Sequence, residues 1–314
     1  MNARKLKSSR STRPTLRNDG GSQGRSNPSV PQHLNGRYAV RIARNAVEIA
    51  SALRLRHEVF NVEIAKKNEG PTDSNLEFDG FDFKCRHLIV VDHSTGATVG
   101  TYRLNTIETA GTMDGFYSAH EFTIDDMPFD ILQNGIEIGR ACVAKEHRNT
   151  KVLFLLWKGL LEYLESTSKR YFFGCCSIFS NDEEAGSHAY HRLVKDGHFH
   201  ERIRVKPKHN ALTIGDAPES KSAELPPLFD MYLRLGAKVC GPPMVDREFG
   251  TIDLFVVFDV QAMNDKYRDA VSRRPGRKSL CFETTNIEAN IRNKCPRTNL
   301  IYFRKVKDVA QTRI

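Results

Sequence analysis

The residues best placed for chemistry lie in one apolar run, residues 135–143, which is typical of a β-strand. Glu137 near its start could accept a proton from a substrate, and Arg140 could pair with a carboxylate. Residues three apart face opposite sides of a regular strand, so the two side chains share a pocket only if the strand is bulged. Gly139 between them is a natural place for a bulge. Without a bulge, Arg140 is structural and pairs with a carboxylate from Asp79 or Asp82. Independently of the bulge, Glu137 could be an edge residue in a surface salt bridge.

A second charged group consists of Glu77, Asp79 and Asp82 on a predicted loop and Arg103 on a predicted hairpin strand. Carboxylates suit the ammonium groups of a cationic amino acid, and an arginine suits its carboxylate. The same residues could instead form an internal ion-pair network with Arg140 that holds the loop to the sheet. The two interpretations are not exclusive, and the sequence leaves both open.

Metal and thiol chemistry are not favoured. Four histidines lie on and after a predicted helix, and they are His188, His191, His198 and His200. No cysteine or carboxylate completes a convincing ligand set with them, so we expect no metal site. Seven cysteines at irregular spacing, with Cys175 and Cys176 adjacent, indicate a reducing cytoplasm and not a disulfide framework. We expect the adjacent pair to be packed strand residues.

Charge is distributed unevenly along the chain. Residues 1–35 hold seven Lys and Arg against one acid, and residues 262–314 hold thirteen against five, so the ends carry +6 and +8. The total of +9 leaves residues 36–261 at −5, which argues against nucleic-acid binding by a basic folded face. We expect residues 1–35 to be disordered, residues 36–261 to form one domain and residues 262–314 to be a basic extension. No apolar run approaches the roughly 20 residues of a membrane-spanning helix.

Hydrophobic periodicity and turn residues predict a mixed α/β order. Strands are expected at 37–44, 86–92, 97–107, 135–143, 171–178, 238–241 and 251–260. Helices are expected at 45–60, 148–168, 181–195 and 228–235. Asn45 with Glu48 predicts a capping box, and residues 86–107 a hairpin.

This order is that of the GNAT fold, and several phrases carry a more specific resemblance. They are RHEVF at 56–60, EFDGFD at 77–82, HL at 87–88, GTYRL at 100–104, FYSAHEF at 116–122, EIGRACV at 137–143, LWKGL at 156–160 and GCCS at 174–177. Over residues 37 to about 260 the chain resembles the ornithine-lipid-forming, hemolysin-like acyltransferases and, more distantly, the acyl-homoserine lactone synthases. The resemblance implies an α/β, GNAT-like domain with a mixed, mostly antiparallel sheet flanked by helices.

The resemblance also implies a reaction. A 3-hydroxyacyl group would pass from an acyl carrier protein to the α-amino group of ornithine or a similar amino acid, giving a lyso-ornithine lipid without a further cofactor. The implied catalytic residues are Glu137 and Arg140, and the implied substrate contacts are Asp79, Asp82, Arg103, Arg56 and Phe60. The alternatives are lactone synthesis and a non-catalytic acyl-carrier or lipid-binding module. Lactone synthases typically carry a tryptophan shortly after the segment that corresponds to residues 56–60, whereas this chain has only Trp157.

The start of the long predicted helix bears on the acyl donor. Acetyl-CoA-dependent GNAT enzymes have a glycine-rich turn there for the pyrophosphate, whereas residues 148–152 read RNTKV. The absence of glycine favours a carrier-protein donor, whose arm has one phosphate that Arg148 and Lys151 could meet. Both residues could also be ordinary solvated charges. We further expect a cytoplasmic protein whose basic ends bind transiently to an anionic membrane, although those ends could instead dock the carrier or aid solubility.

Overall fold

The computed structural model describes residues 33–64, 75–216, 224–247 and 250–263. The expectations for residues 1–32 and 264–314 lie outside these ranges. At the inner end of the predicted disordered tail, residues 33–35 form a strand instead. This strand pairs with the next one across a turn at Gly36, whose φ of +59° suits glycine. Backbone pairing, which composition does not reveal, therefore moves the start of the domain to residue 33.

Nine strands are described. They are β1 His33–Asn35, β2 Tyr38–Ile42, β3 Arg86–Asp92, β4 Thr98–Asn105, β5 Gly135–Val143, β6 Tyr171–Ile178, β7 Lys238–Val239, β8 Met244–Asp246 and β9 Thr251–Asp259. Seven α-helices accompany them. They are α1 Ala46–Arg56, α2 Ile107–Ala110, α3 Ser118–Glu121, α4 Phe129–Gln133, α5 Thr150–Ser166, α6 Glu183–Lys195 and α7 Pro227–Leu235.

The strands form one mixed sheet in the order β1-β2-β3-β4-β5-β6-β9-β7, and β8 also pairs with β9. Every pairing is antiparallel except that of β5 with β6, which α5 connects as a crossover. The predicted mostly antiparallel sheet is therefore confirmed, and β3, β5 and β6 have the predicted bounds. The apolar stripe of α5 is buried in the main hydrophobic core, and its residues are Val152, Leu156, Leu160 and Leu164. These side chains are core residues, as expected.

The first helix differs from its prediction. The α1 helix ends at Arg56 and continues as a π-helix over His57–Ile64. The Asn45 side chain accepts a hydrogen bond from the Glu48 N–H at 3.0 Å, as a capping box requires. The Glu48 carboxylate, however, accepts from the Arg44 N–H at 2.8 Å and pairs with Arg41 and Arg44. The predicted reciprocal bond to Asn45 is wrong because two nearby guanidinium groups attract this carboxylate.

The two central parallel strands separate soon after they meet. Their ladder contains three residue pairs and ends at Glu137 opposite Phe173. Beyond that point β5 continues beside β4, and β6 continues beside β9. A Cβ atom on Gly174 would lie 2.5 Å from the Ile138 carbonyl oxygen, so glycine permits the close approach at the vertex. The result is a cleft that opens between β5 and β6.

Alanine at the vertex tests this close approach. We expect Gly174→Ala to lower the free energy of unfolding by about 1–3 kcal/mol, because the methyl group must push the two strands apart. Gly139→Ala is the matched control, since no heavy atom lies within 4 Å of its added Cβ. Urea unfolding of both variants measures the difference. Equal stabilities would mean that the strands do not need this contact.

Candidate functional site

The cleft between β5 and β6 gathers both predicted catalytic residues. It is lined by Arg103, Asn105, Tyr117, Ser118, Glu137, Ile138, Gly139, Arg140 and Cys175. Arg140 has a φ of +53°, and the register of β5 against β4 shifts between Thr101 and Arg103. This bulge brings Glu137 and Arg140 into one cleft. The bulge that their spacing requires is therefore present, but it lies at Arg140 and not at Gly139, which pairs with Arg103.

Glu137 is buried, and its carboxylate is held by backbone groups of a neighbouring loop. The Ser118 N–H donates to Oε1 at 2.7 Å, and the Tyr117 N–H donates to Oε2 at 3.1 Å. Opposite Glu137 on β4 lies Asn105, whose amide donates to the Gly115 carbonyl at 2.9 Å. The same loop is thus fixed at two points. The alternative of an edge glutamate in a surface salt bridge is wrong.

Beside the cleft lies a cluster of six charged side chains, here called the charged cluster. Its members are Arg56, Arg103, Arg140, Glu77, Asp79 and Asp82. The three arginines come from α1, β4 and β5, and the three carboxylates come from one loop that ends before β3. No side chain of the cluster is more than 4% exposed. Formal charges within it sum to zero.

Individual contacts show how the charged cluster closes. Arg103 Nη1 lies 2.7 and 2.6 Å from the two Asp79 oxygens, and Arg140 Nη2 donates to Asp79 at 3.0 Å. Arg56 donates through both terminal nitrogens to Asp82, at 2.7 and 3.0 Å, and through Nε to Glu77. The network interpretation of these residues is confirmed. Arg103 and Arg140 also line the cleft. Their contact with an amino-acid substrate therefore remains a prediction, in addition to their place in the network.

Electrostatics favour the ionised forms of Asp79 and Asp82 in this cluster. Burial alone would raise the pKa of Asp79, but Arg103 and Arg140 outweigh it and hold that pKa below its usual value. Arg56 and Arg103 likewise lower the pKa of Asp82 against the effect of burial. Burial lowers the pKa of neighbouring His87 to about 4, so this imidazole is neutral at pH 7. Asp79 and Asp82 are therefore ionised at pH 7.

The remaining predicted site residues lie elsewhere. Phe60 is packed in a small buried cluster around the π-helix, and the structure does not bring it or Arg56 to the cleft. Arg148 is held by Glu63, with Nη1 and Nη2 at 2.6 and 2.5 Å from its oxygens. Lys151 is exposed in the first turn of α5. At the start of this helix, Lys151 is therefore the accessible cation, whereas Arg148 is already paired with Glu63.

Five cleft residues were not assigned a role at the site by sequence reasoning. They are Asn105, Tyr117, Ser118, Ile138 and Cys175. Tyr117 and Ser118 lie within the FYSAHEF phrase, which drew attention to this segment. Because they act through backbone N–H groups, their side-chain types could not indicate this role. Cys175 is a packed strand residue as expected, yet its sulfur lies 3.8 Å from the Ser118 hydroxyl at the cleft.

Neither a candidate metal site nor a membrane-spanning helix occurs within residues 33–64, 75–216, 224–247 and 250–263. No group of three or more His, Cys, Asp or Glu side chains there could hold a metal ion. Within the same ranges, no helix is both long and apolar enough to cross a membrane.

Comparison with known proteins now defines the class. Residues 55–158 match the acetyltransferase (GNAT) domain family. An L-ornithine N(alpha)-acyltransferase of Rhodobacter capsulatus is 31% identical over 252 residues, which span 76% of this chain and 95% of that protein. One of Agrobacterium fabrum is 32% identical over 249 residues, spanning 74% and 84%. The protein is an N-acyltransferase with a GNAT domain. More particularly, it belongs to the L-ornithine N(alpha)-acyltransferase family.

Solved structures also resemble it. A CoA-dependent acyl-homoserine lactone synthase, solved with SAM and isopentyl-CoA, is 14% identical with a TM-score of 0.43. The similarity covers 78% of this chain and 93% of that one.

Removing one negative charge tests the charged cluster. We expect Asp79→Asn to cost about 3–5 kcal/mol of unfolding free energy, because two buried guanidinium groups lose their shared partner. Asp230→Asn is the control, since Asp230 pairs with Arg234 on the exposed side of α7, where such pairs are worth about 0.3–0.5 kcal/mol. Chemical denaturation of both variants at pH 7 provides the comparison. A loss for Asp79→Asn no larger than the control would contradict the network.

Proposed function

We propose that this chain transfers a 3-hydroxyacyl group from an acyl carrier protein to the α-amino group of L-ornithine or a similar amino acid, forming a lyso-ornithine lipid. The observation that carries the proposal is the Glu137 carboxylate, held beside Arg103 and Arg140 in the cleft where β5 leaves β6. The names of the similar proteins from Rhodobacter capsulatus and Agrobacterium fabrum support ornithine as the acceptor.

The proposed reaction exchanges a C–S bond for a C–N bond. The acceptor enters as an ammonium ion, and Glu137 takes one proton directly or through a water molecule, so that the nitrogen lone pair is free. That lone pair attacks the thioester carbon, and the carbonyl oxygen becomes an oxyanion that a backbone N–H of the separated β5 stabilises. Collapse expels the pantetheine thiolate. As the amide forms, its nitrogen loses a second proton, and the thiolate takes up a proton to become the free thiol.

Charge in the cleft suits an amino-acid acceptor. Arg103 and Arg140 line the cleft, and each also donates a guanidinium N–H to Asp79. A guanidinium group can bind a second carboxylate through donors that its first partner leaves free. We place the acceptor carboxylate against these arginines and its α-nitrogen toward Glu137. Asp79, Asp82, Arg56 and Phe60 then contribute by holding this arrangement in place.

The start of α5 supports the choice of acyl donor. Residues 148–152 contain no glycine, so a pyrophosphate lacks the flexible cradle that such turns provide. Lys151 is exposed there, and Arg148 is already paired with Glu63. These features support a single phosphate on the arm of a carrier protein. No resident cofactor is part of the proposal.

Product analysis tests the proposal directly. The purified chain is incubated with a 3-hydroxyacyl carrier protein and one amine at a time. The amines are ornithine, lysine, glutamine, glycine and S-adenosylmethionine. Mass spectrometry should detect an N-acylated amino acid with ornithine. A lactone product formed with S-adenosylmethionine would indicate synthase chemistry instead. If no amine gave a product, the chain would be a non-catalytic acyl-binding module and the proposal would be wrong.

Substitution of the proposed base gives a quantitative prediction. Glu137→Gln should lower kcat by roughly two to four orders of magnitude, the usual range for loss of a general base. Glu184→Gln on exposed α6 serves as the control and should leave kcat unchanged. Because glutamine also disturbs the bonds to Tyr117 and Ser118, the folded fraction must be measured alongside kcat. A folded variant with normal kcat would exclude Glu137 as the base.

The basic ends of the chain are proposed to bring the enzyme to an anionic membrane. Each Lys or Arg near such a surface contributes on the order of 1 kcal/mol, and salt screens that attraction. We expect deletion of residues 1–32 and 264–314 to weaken binding to anionic liposomes while turnover with soluble carrier stays nearly intact. Liposome sedimentation at low and high salt measures this. Unchanged binding after deletion would show that the ends are not responsible.

A further inference from the structure

One loop combines buried acids with exposed aromatic rings. Glu77, Asp79 and Asp82 point into the charged cluster, whereas Phe78 is 41% exposed and Phe83 is 81% exposed. Their rings contact each other edge to face, with centroids 4.8 Å apart. The two residues are here called the aromatic pair. Among the described residues, few other large hydrophobic side chains are exposed, and none of those is in ring contact with another exposed one.

The loop cannot easily fold these rings inward. The Asp79 N–H donates to the Asp82 carboxylate at 2.9 Å, and the Phe81 N–H donates to the Asp79 carboxylate at 2.8 Å. The same carboxylates are bound to arginines of α1, β4 and β5. Turning Phe83 inward would pull an acid out of this buried cluster, so the loop presents the aromatic pair to its surroundings.

The same loop also borders the cleft. Between the two exposed rings in sequence lies the partly buried Phe81, which packs edge to face on Tyr117 at 6.0 Å. The Arg103 guanidinium carbon lies 5.5 Å from the centre of the Phe81 ring. Tyr117 and Arg103 line the cleft. One short loop therefore joins the proposed acylation site to an exposed apolar surface.

We propose that the aromatic pair inserts into the interfacial region of a lipid bilayer and so places the mouth of the cleft at the membrane. The inference rests on the proposed function, whose product has one acyl chain and a polar head and partitions into a bilayer. Phenyl rings gain free energy at the interface whatever the headgroup charge, and exposed Lys84 beside Phe83 suits the phosphate level. An acidic carrier protein would instead dock on a cluster of basic side chains, whereas among residues 75–85 the one exposed charged side chain is Lys84.

Vesicle binding at high salt distinguishes the contribution of the aromatic pair from that of the basic ends. The full chain is sedimented with phosphatidylcholine vesicles at about 1 M salt, where the screening length falls to about 3 Å. The double variant Phe78→Ala/Phe83→Ala should bind at least about tenfold more weakly, since burial of one Phe ring is worth that factor or more. Phe129→Ala is the matched control, because Phe129 is 64% exposed on α4 and lacks a partner ring of this kind.

A spectroscopic variant reports the contact itself. The chain has one tryptophan, Trp157, which is buried, so Phe83→Trp adds a reporter at the surface. Vesicles should shift its emission to the blue, and brominated acyl chains should quench it. Kcat with soluble substrates and the thermal midpoint should stay at wild-type values in the alanine variants, because neither ring lines the cleft.

Several outcomes overturn the inference. Vesicle binding by the double variant within twofold of wild type would do so, as would an equal loss in Phe129→Ala. An emission shift of Phe83→Trp produced by loaded carrier protein, or by self-association without lipid, would assign the aromatic pair to that partner instead. These results leave product formation untouched. Conversely, a chain that binds vesicles through the aromatic pair but acylates no amine would refute the proposed function alone.

Discussion

Burial of six charges in one neutral cluster is the constraint on which the rest of this structure depends. A charge removed from water costs several kcal/mol unless it is paired and fully hydrogen-bonded, so each guanidinium group needs its carboxylate in place. The arginines lie on α1, β4 and β5, and the carboxylates lie on the single loop before β3. The loop must therefore close over the sheet whenever the domain is folded. Its closure holds Arg140 at the bulge and leaves Phe78 and Phe83 facing outward.

The cleft is the second consequence of local geometry. Since β5 and β6 pair over three residues only, the sheet opens after Glu137, which ends the ladder. Two backbone N–H groups from the Tyr117 and Ser118 turn hold the Glu137 carboxylate, and Asn105 fixes the same turn from β4. A carboxylate that is held on several sides needs little reorganisation when a proton arrives. The position of the Glu137 side chain is thus set before any substrate binds.

Much of this arrangement could be predicted from the sequence, and the rest could not for identifiable reasons. Strands β3, β5 and β6 are buried, apolar and bounded by turn residues, so their limits matched. The short β1 and β8 carry no such pattern, and neither does the π-helix after Arg56. At the site, the opposite charges of Asp79 and Arg103 predicted a network. The pairing of Arg148 with Glu63, 85 residues away in sequence, depends on where the π-helix ends, which no local pattern reveals.

Hydrogen exchange at the Tyr117 and Ser118 amides tests the central claim most directly, because these N–H groups donate to the Glu137 carboxylate. If the carboxylate is held as described, both amides should exchange about as slowly as those of β5 in the wild-type chain. In Glu137→Gln one of the two carboxylate oxygens becomes an NH2 group that cannot accept, so at least one of the two amides should exchange much faster while the β5 amides keep their protection. Rapid exchange of both amides in the wild-type chain, at the rate of an open surface loop, would contradict the account.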